Sequence, residues 1–196
     1  MVVLRGGLIK CVVVGDDNVG KTSMLMCYAT NRFPSQHVPT VFDNYAGSVI
    51  LSDKQYTLQM IDTTEQGDSE EARRHSYFGA DVFIVCFSVV KPETFANAQC
   101  RWIPEVRNLM GETPIILVGT QTDLRDDETI VNKLKAQGNK PVSERDAINV
   151  CRRVGVACYL ESSPLMKKKM KRVVNDAFVS VFSFKDNQHN HGCIII

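Results

Sequence analysis

Leu8-Ile9-Lys10-Cys11-Val12-Val13-Val14 runs directly into Gly15-Asp16-Asp17-Asn18-Val19-Gly20-Lys21-Thr22, and this junction decides the fold. The first stretch is a β-branched run, the composition of a strand buried on both faces. The second satisfies G-x-x-x-x-G-K-[ST] at every position, and residues 21–31 then take helical apolar spacing. Strand, glycine-rich loop and helix together form a phosphate loop. Gly15 and Gly20 let the backbone curl, so that N–H groups along Asp17, Asn18, Val19, Gly20, Lys21, Thr22 and Ser23 face phosphate oxygens at a helix N-terminus. Lys21 is expected to reach the β- and γ-phosphates, and the Thr22 hydroxyl to coordinate Mg²⁺.

Outward from this loop, apolar runs alternate with amphipathic ones. Residues 48–51 and 56–61 read as strands joined by Ser52-Asp53-Lys54. Residues 82–88 and 115–119 are continuous apolar runs, again strands covered on both faces. Residues 94–110 read as one helix bent at Pro104, because proline removes an N–H and clashes with the preceding turn. Ser143 and Asp146 form a capping box ahead of a helix over 143–154, and residues 157–161 form a short strand. Met170, Val174, Phe178 and Val181 make a helical stripe near the end of the chain. This alternation predicts an α/β P-loop nucleotide-binding domain, a six-stranded, mostly parallel sheet with helices on both faces. Ligands of such sheets sit at the carboxyl ends of the strands.

Composition bounds the rest. With 196 residues, 44% apolar and 23% charged, the chain fits one domain with a full core. A net charge of +1 provides no global field toward nucleic acid, and no nucleic-acid partner is expected. The seven cysteines show no CxxC pair or zinc-like spacing and lie mostly in apolar segments, the pattern of reduced thiols in an intracellular compartment. Met1-Val2-Val3-Leu4-Arg5-Gly6-Gly7 carries no cleavage pattern of a secretory leader. No apolar run reaches the roughly 18 residues of a membrane span.

Two further acidic residues bear on the nucleotide. Asp62 ends a strand, where a carboxylate can hold Mg²⁺ through water. Asp123, in Thr120-Gln121-Thr122-Asp123, follows another strand, and its carboxylate can accept from guanine N1–H and N2–H₂, a donor pair adenine lacks. Neither a phospho-acceptor site nor a lid of the kind a kinase needs is present in the sequence.

Together these residues resemble the Rho/Rac branch of the Ras-like small GTPases. The resemblance covers nearly the whole chain and is most specific in Lys10-Cys11-Val12-Val13-Val14-Gly15-Asp16, in Pro39-Thr40-Val41-Phe42-Asp43-Asn44-Tyr45 and in Thr113-Pro114-Ile115-Ile116-Leu117-Val118-Gly119-Thr120. Residues 124–139 look like the helical insert that marks Rho proteins, within a GTPase domain over 1–184 that is followed by a flexible tail over 185–196. The resemblance implies GTP/GDP and Mg²⁺ as cofactors. It implies Thr22, Thr40 and Asp62 around the metal, Phe33 against the guanine edge, and Thr120, Gln121, Asp123, Ser163 and Pro164 around the base. It also implies Lys21 and the water-positioning Gln66 as catalytic residues, and Val41, Phe42, Asp43, Asn44 and Tyr45 as the effector surface. For Phe33, Val41 and Phe42 the residues alone leave simple core packing open.

The departures from the family fall on its machinery. Asp17 stands where the family has glycine, and a carboxylate there adds charge beside an anionic transition state. The family's D-T-A-G-Q reads Asp62-Thr63-Thr64-Glu65-Gln66, so Glu65 replaces a glycine hinge. Gln121 replaces a lysine whose stem packs over guanine. Pro164 lacks the N–H that the usual alanine gives to guanine O6. In Ser69-Glu70-Glu71-Ala72-Arg73-Arg74-His75-Ser76-Tyr77, the family's apolar residues are missing at Ala72 and His75, and Ile61 replaces an aromatic. The expectations are slow hydrolysis, a weak response to GTPase-activating proteins, faster exchange and an altered set of exchange factors. A scaffold that does not hydrolyse GTP, or binds no nucleotide, is the second reading. A compensated, ordinary timer is the third.

The chain ends in Cys193-Ile194-Ile195-Ile196, a C-a-a-X pattern that implies prenylation of Cys193. One lipid seldom anchors stably by itself. The preceding residues carry no polybasic run, while Lys167-Lys168-Lys169-Met170-Lys171-Arg172 lies further upstream. The expected location is the cytoplasmic face of the plasma membrane or an endomembrane, as a monomer.

Overall fold

The computed structural model describes residues 7–30, 44–51, 54–63, 70–163, 174–175, 178–179 and 194–195. Strand β1 (Leu8–Val14) lies at the centre of one sheet. It pairs in parallel with β3 (Lys54–Asp62) on one side and β4 (Val82–Ser88) on the other. Parallel pairing continues from β4 to β5 (Ile115–Thr120) and on to β6 (Cys158–Glu161). Only β2 (Asn44–Leu51) runs antiparallel, against β3. The six expected strands are present, and a two-residue strand β7 (Ile194–Ile195) adds to the edge, Cys158 opposite Ile194 and Tyr159 opposite Ile195.

The chain leaves β1 toward β3 on one flank and reaches β4 on the other, so strand order reverses at β1. Such a reversal opens a crevice at the strands' carboxyl ends, where ligands of open α/β sheets bind. The phosphate loop begins at that point. In register, Val13 of β1 faces Asp62 at the end of β3, which delivers the acidic residue to the same rim.

Every residue of β4 and β5 is buried, as continuous β-branched and aromatic runs require of strands covered twice. Alternate side chains enter two cores. Cys11, Val13, Ile84, Cys86, Ile116 and Val118 pack with Leu25 and Tyr28 of helix α1 (Lys21–Thr30) and with Val174 and Phe178. Val174 and Phe178 are helical, in line with the C-terminal stripe. Val12, Val14, Phe83, Val85 and Leu117 pack on the opposite face with Trp102, Val106 and Cys151. Each fully buried Val, Leu or Phe contributes roughly 1.5–3 kcal/mol, so burial on both faces is the main stabilising term. Five of the six described cysteines are buried and free, consistent with their reading as small hydrophobes.

Helix α2 (Glu70–Tyr77) precedes β4. The segment expected as one helix over 94–110 is divided: α3 (Pro92–Asn97), a π-turn (Ala98–Trp102) and α4 (Ile103–Met110). Pro104 stands in the first turn of α4, where its missing N–H is tolerated, and the widened turn absorbs the interruption just before it. Beyond β5, a 3₁₀ turn (Thr122–Leu124) leads to α5 (Glu128–Ala136), which Asp127 caps by accepting from Ile130 N. Helix α6 (Glu144–Val154) starts at Ser143, whose Oγ accepts from Asp146 N at 3.1 Å and donates to Asp146 Oδ2 at 2.7 Å. The Ser143–Asp146 box is therefore present, closed through the side chains.

Candidate functional site

The phosphate loop is built by backbone conformations that its sequence permits. Gly15 has φ +142°, and a Cβ there would lie 2.3 Å from Cys86 O, so only glycine fits between β1 and β4. Asn18 occupies the left-handed region at φ 57°, which asparagine tolerates. Val19 is fully buried and anchors the crest of the loop.

Lys21 opens α1 and is 6% exposed. Its Nζ donates to Gly15 O and Asp16 O, both at 2.9 Å. An ammonium carries three donors, so the two carbonyls orient the group and one donor stays available to an anion. No acidic residue stands in the first turn of α1. The first turn of α1 therefore contributes no carboxylate of its own, a condition that favours phosphate.

Beside it, Thr22 Oγ1 donates to Asp62 Oδ2 at 2.5 Å. Asp62 is fully buried at the end of β3, and the next residue, Thr63, ties that end to β1 by donating to Val13 O at 2.7 Å. A hydroxyl and a carboxylate in contact form a hard-oxygen pair. Among the described residues no three His, Cys, Asp or Glu side chains gather into a metal centre. Mg²⁺ is usually held by one or two protein oxygens together with phosphate and retained waters, so Thr22 and Asp62 fit that ion.

Asp16 is tied to the α3–α4 layer. Its Oδ1 accepts from Trp102 Nε1 at 2.6 Å and its Oδ2 from Asn97 Nδ2 at 2.7 Å. Both partners lie more than eighty residues from Asp16, a separation that no local sequence pattern registers.

A second rim forms where β5 and β6 end. Thr120 is buried, with Oγ1 against the carbonyls of Val19 and Phe87, which joins this rim to the phosphate loop. Gln121 is left-handed at φ 58°. Its Oε1 accepts from Ser88 Oγ at 2.5 Å, and Lys91 Nζ donates to Asn18 O at 3.2 Å nearby. Asp123 sits on the 3₁₀ turn with its side chain exposed. The loop after β6 joins it: Ser162 N donates to Gly119 O at 2.8 Å, and Ser163 is buried. Arg125 joins the two loops of this rim by a two-pronged pairing with Glu161, Nη1 donating to Oε2 at 3.0 Å and Nη2 to Oε1, while Tyr159 OH donates to Glu161 Oε1 at 2.9 Å. Burial first, then the Glu161 carboxylate, pushes the Tyr159 phenol well above its ordinary range.

Thus Gly15, Asp17, Asn18, Val19, Gly20, Lys21, Thr22, Ser23 and Asp62 share one rim, and Thr120, Gln121, Asp123 and Ser163 form the adjoining one. Asn44 and Tyr45 lie on β2, and Tyr45 packs partly against the first core. Phe33, Thr40, Val41, Phe42, Asp43, Thr64, Glu65, Gln66, Pro164, Cys193 and the basic run 167–172 lie outside the described residues.

Residues 70–77 carry no apolar periodicity in the sequence. They form α2, in which Arg73 is 4% exposed. Arg73 Nε and Nη2 donate to Glu105 Oε1 and Oε2 at 3.2 and 3.0 Å, and Tyr77 OH donates to Oε1 at 2.7 Å. Arg74, His75 and Phe78 are exposed, and Phe78 is 84% accessible.

A strand-borne phosphate loop, a Thr–Asp oxygen pair and an Asp-bearing second rim define a P-loop domain suited to a guanine nucleotide with Mg²⁺. A family model described as the Ras family matches residues 10–183. The chain belongs to the Ras family: it is a small GTP-binding switch protein of the class that hydrolyses GTP and works through effectors, exchange factors and GTPase-activating proteins.

Proposed function

We propose that this protein is a Rho-type switch that hydrolyses GTP slowly and resides largely in its GTP form. The observation that carries the reading is Asp17. It follows Asp16 within the phosphate loop, five residues before the Thr22 hydroxyl that meets Asp62, so an extra carboxylate stands in the loop that must cradle an already anionic transition state. Glu65, where relatives have glycine, restricts the segment beside Gln66, and Thr64 adds a hydroxyl close to the same phosphate; both push in the same direction. Exchange is fast because Gln121 replaces a lysine and Pro164 lacks an N–H. Signalling runs through residues 41–45 to effector proteins acting on actin, polarity or vesicle traffic. Cys193, prenylated, holds the protein at the cytoplasmic face of a membrane, and the remodelled 69–77 segment narrows the set of regulators.

The test is single-turnover hydrolysis of GTP without a GTPase-activating protein, on the full chain and on Asp17→Gly. The reading expects slow turnover that Asp17→Gly accelerates by about tenfold or more, the equivalent of roughly 1.4 kcal/mol in the barrier. Bound nucleotide from protein purified without additions is expected to be mostly GTP. Mostly GDP, with an ordinary rate, would refute the hydrolysis defect. No nucleotide at all would favour a constitutive scaffold, which the engagement of the Gln121 amide by Ser88 also supports.

A further inference from the structure

The π-turn places two donors five residues apart against one carboxylate. In a regular α-helix, positions 97 and 102 would diverge by about 140° around the axis. The widened turn over Ala98–Trp102 brings Asn97 and Trp102 onto the same side, where they hold Asp16 from both oxygens. π-turns inside α-helices recur at functional positions because they cost helix geometry and persist only where something is gained.

Trp102 is 1% exposed and is the one tryptophan in the chain. The guanidinium of Arg101 lies 4.4 Å from its ring centroid and that of Arg73 lies 5.2 Å away. Arg73 belongs to α2, where Glu105 fixes it from across the layer. Asp16, at the other end, gives its backbone carbonyl to Lys21 Nζ. An unbroken contact chain therefore runs from α2 through Arg73, Trp102 and Asp16 to the ammonium that faces phosphate.

We propose that Trp102 is a positioning residue: held by Arg73 of α2, it fixes Asp16 and through it the phosphate loop around Lys21. The inference rests on the family's nucleotide binding and adds the route by which α2 influences it. When Arg73 moves away, the indole loses a cation from its face and with it part of the constraint that aims Nε1 at Asp16. A carboxylate released from a charge-assisted bond lets the turn at Asp16 relax, and Lys21 loses one of its two fixed carbonyls. The coupling is measured by a double-variant cycle.

Two readouts on the full chain decide. The first is release of mant-GDP in Mg²⁺ buffer from wild type, Trp102→Phe, Arg73→Gln and the double variant. Trp102→Phe keeps an aromatic ring but removes the N–H. Each single variant is expected to release nucleotide on the order of tenfold faster, the scale of one lost hydrogen bond to a charged group, with the double variant no faster than the faster single one. Single variants at the wild-type rate, or effects that multiply in the double variant, would overturn the proposal. The second readout is the ¹⁵N–¹H resonance of the sole indole. It is expected to shift in Arg73→Gln and in Asp16→Asn, a response that general loosening of the fold would not confine to this group. An indole resonance unmoved by Arg73→Gln overturns the proposal, whatever the release rates. Failure of the wild type to capture mant-GDP would instead sink the nucleotide reading, and the indole response would still support the contact between α2 and Trp102.

Discussion

Thr22 Oγ1 donates to Asp62 Oδ2 at 2.5 Å, across forty residues of sequence and from a helix to a strand end. The contact sets two hard oxygens side by side where a nucleotide's phosphates would arrive. It predicts that Mg²⁺ sensitivity depends on this pair. In the wild type, chelation with EDTA should speed mant-GDP release strongly. In Thr22→Val, which keeps shape but removes the hydroxyl, release should already be fast and respond little to EDTA. A full EDTA response in Thr22→Val would remove Thr22 from the metal site.

Gly15 offers a purely steric prediction. A methyl group at this position would sit 2.3 Å from Cys86 O, with φ at +142°. Gly15→Ala should therefore push β1 from β4 and cost about 3 kcal/mol or more, as overpacking adds to backbone strain. Gly111 has φ +57° but nothing within 4 Å of a built Cβ. Gly111→Ala should cost less, about 1–3 kcal/mol from backbone strain alone. Urea denaturation of the two variants side by side is the check. Equal losses would mean that β4 yields at Cys86 and that the close approach is not what selects glycine.

These predictions show which features the sequence made legible. The strands β1, β4 and β5 announced themselves because burial on both faces demands uninterrupted apolar runs. The phosphate loop was legible because its motif is local and its glycines answer a backbone need. Helix α2 was not, since Glu70-Glu71-Ala72-Arg73-Arg74-His75-Ser76-Tyr77 shows no apolar stripe. Its described buried residues are Arg73 and Tyr77, both hydrogen-bonded to Glu105 on a different helix, and periodicity of hydrophobicity cannot register a buried arginine. The division of residues 92–110 escaped for a related reason. Pro104 signalled a bend, but the π-turn depends on what Asn97 and Trp102 must reach, and that target lies in the phosphate loop. The tie between Arg125 and Glu161 likewise joins two loops that are adjacent only in the folded sheet.

The Arg73–Glu105–Tyr77 cluster gives stability a defined dependence on acid. Against burial, which would raise it, hydrogen bonds from Arg73 and Tyr77 hold the Glu105 carboxyl below its ordinary value of 4.5. A carboxyl whose folded value is depressed contributes fully above its unfolded value. That contribution is lost as pH falls through the folded value, because the unfolded chain then binds the proton more readily. Stability should therefore drop more steeply below about pH 4.5 in the wild type than in Glu105→Gln, while Glu105→Gln starts from a lower plateau near neutrality. Urea midpoints followed from about pH 6 to about pH 3 would show this. Parallel acid limbs for the two proteins would mean that other carboxylates govern the acid transition.

Arg125 makes the last case, because it separates fold from ligand binding. Its guanidinium pairs with both oxygens of Glu161 and its Nε donates to Val142 O at 3.2 Å, so one side chain joins the turn bearing Asp123, the end of β6 and the segment ahead of α6. Both members of the ion pair are about one quarter exposed, 24% each, so solvent weakens the pairing and its loss should cost on the order of 1–2 kcal/mol of stability. The functional effect should be larger than that loss implies. Asp123 can read a guanine only if its turn is held against Ser162 and Ser163, and Arg125 is the clamp between those loops. Arg125→Ala should thus speed release of GDP several-fold at a temperature where the fold remains intact, with little change in the response to EDTA, since the clamp stands away from Thr22 and Asp62. Tyr159→Phe, which removes only the phenolic donor to Glu161, should show a smaller effect in the same direction. Release unchanged in Arg125→Ala, with stability lowered as expected, would confine this ion pair to holding the sheet edge and leave the orientation of Asp123 to the 3₁₀ turn itself.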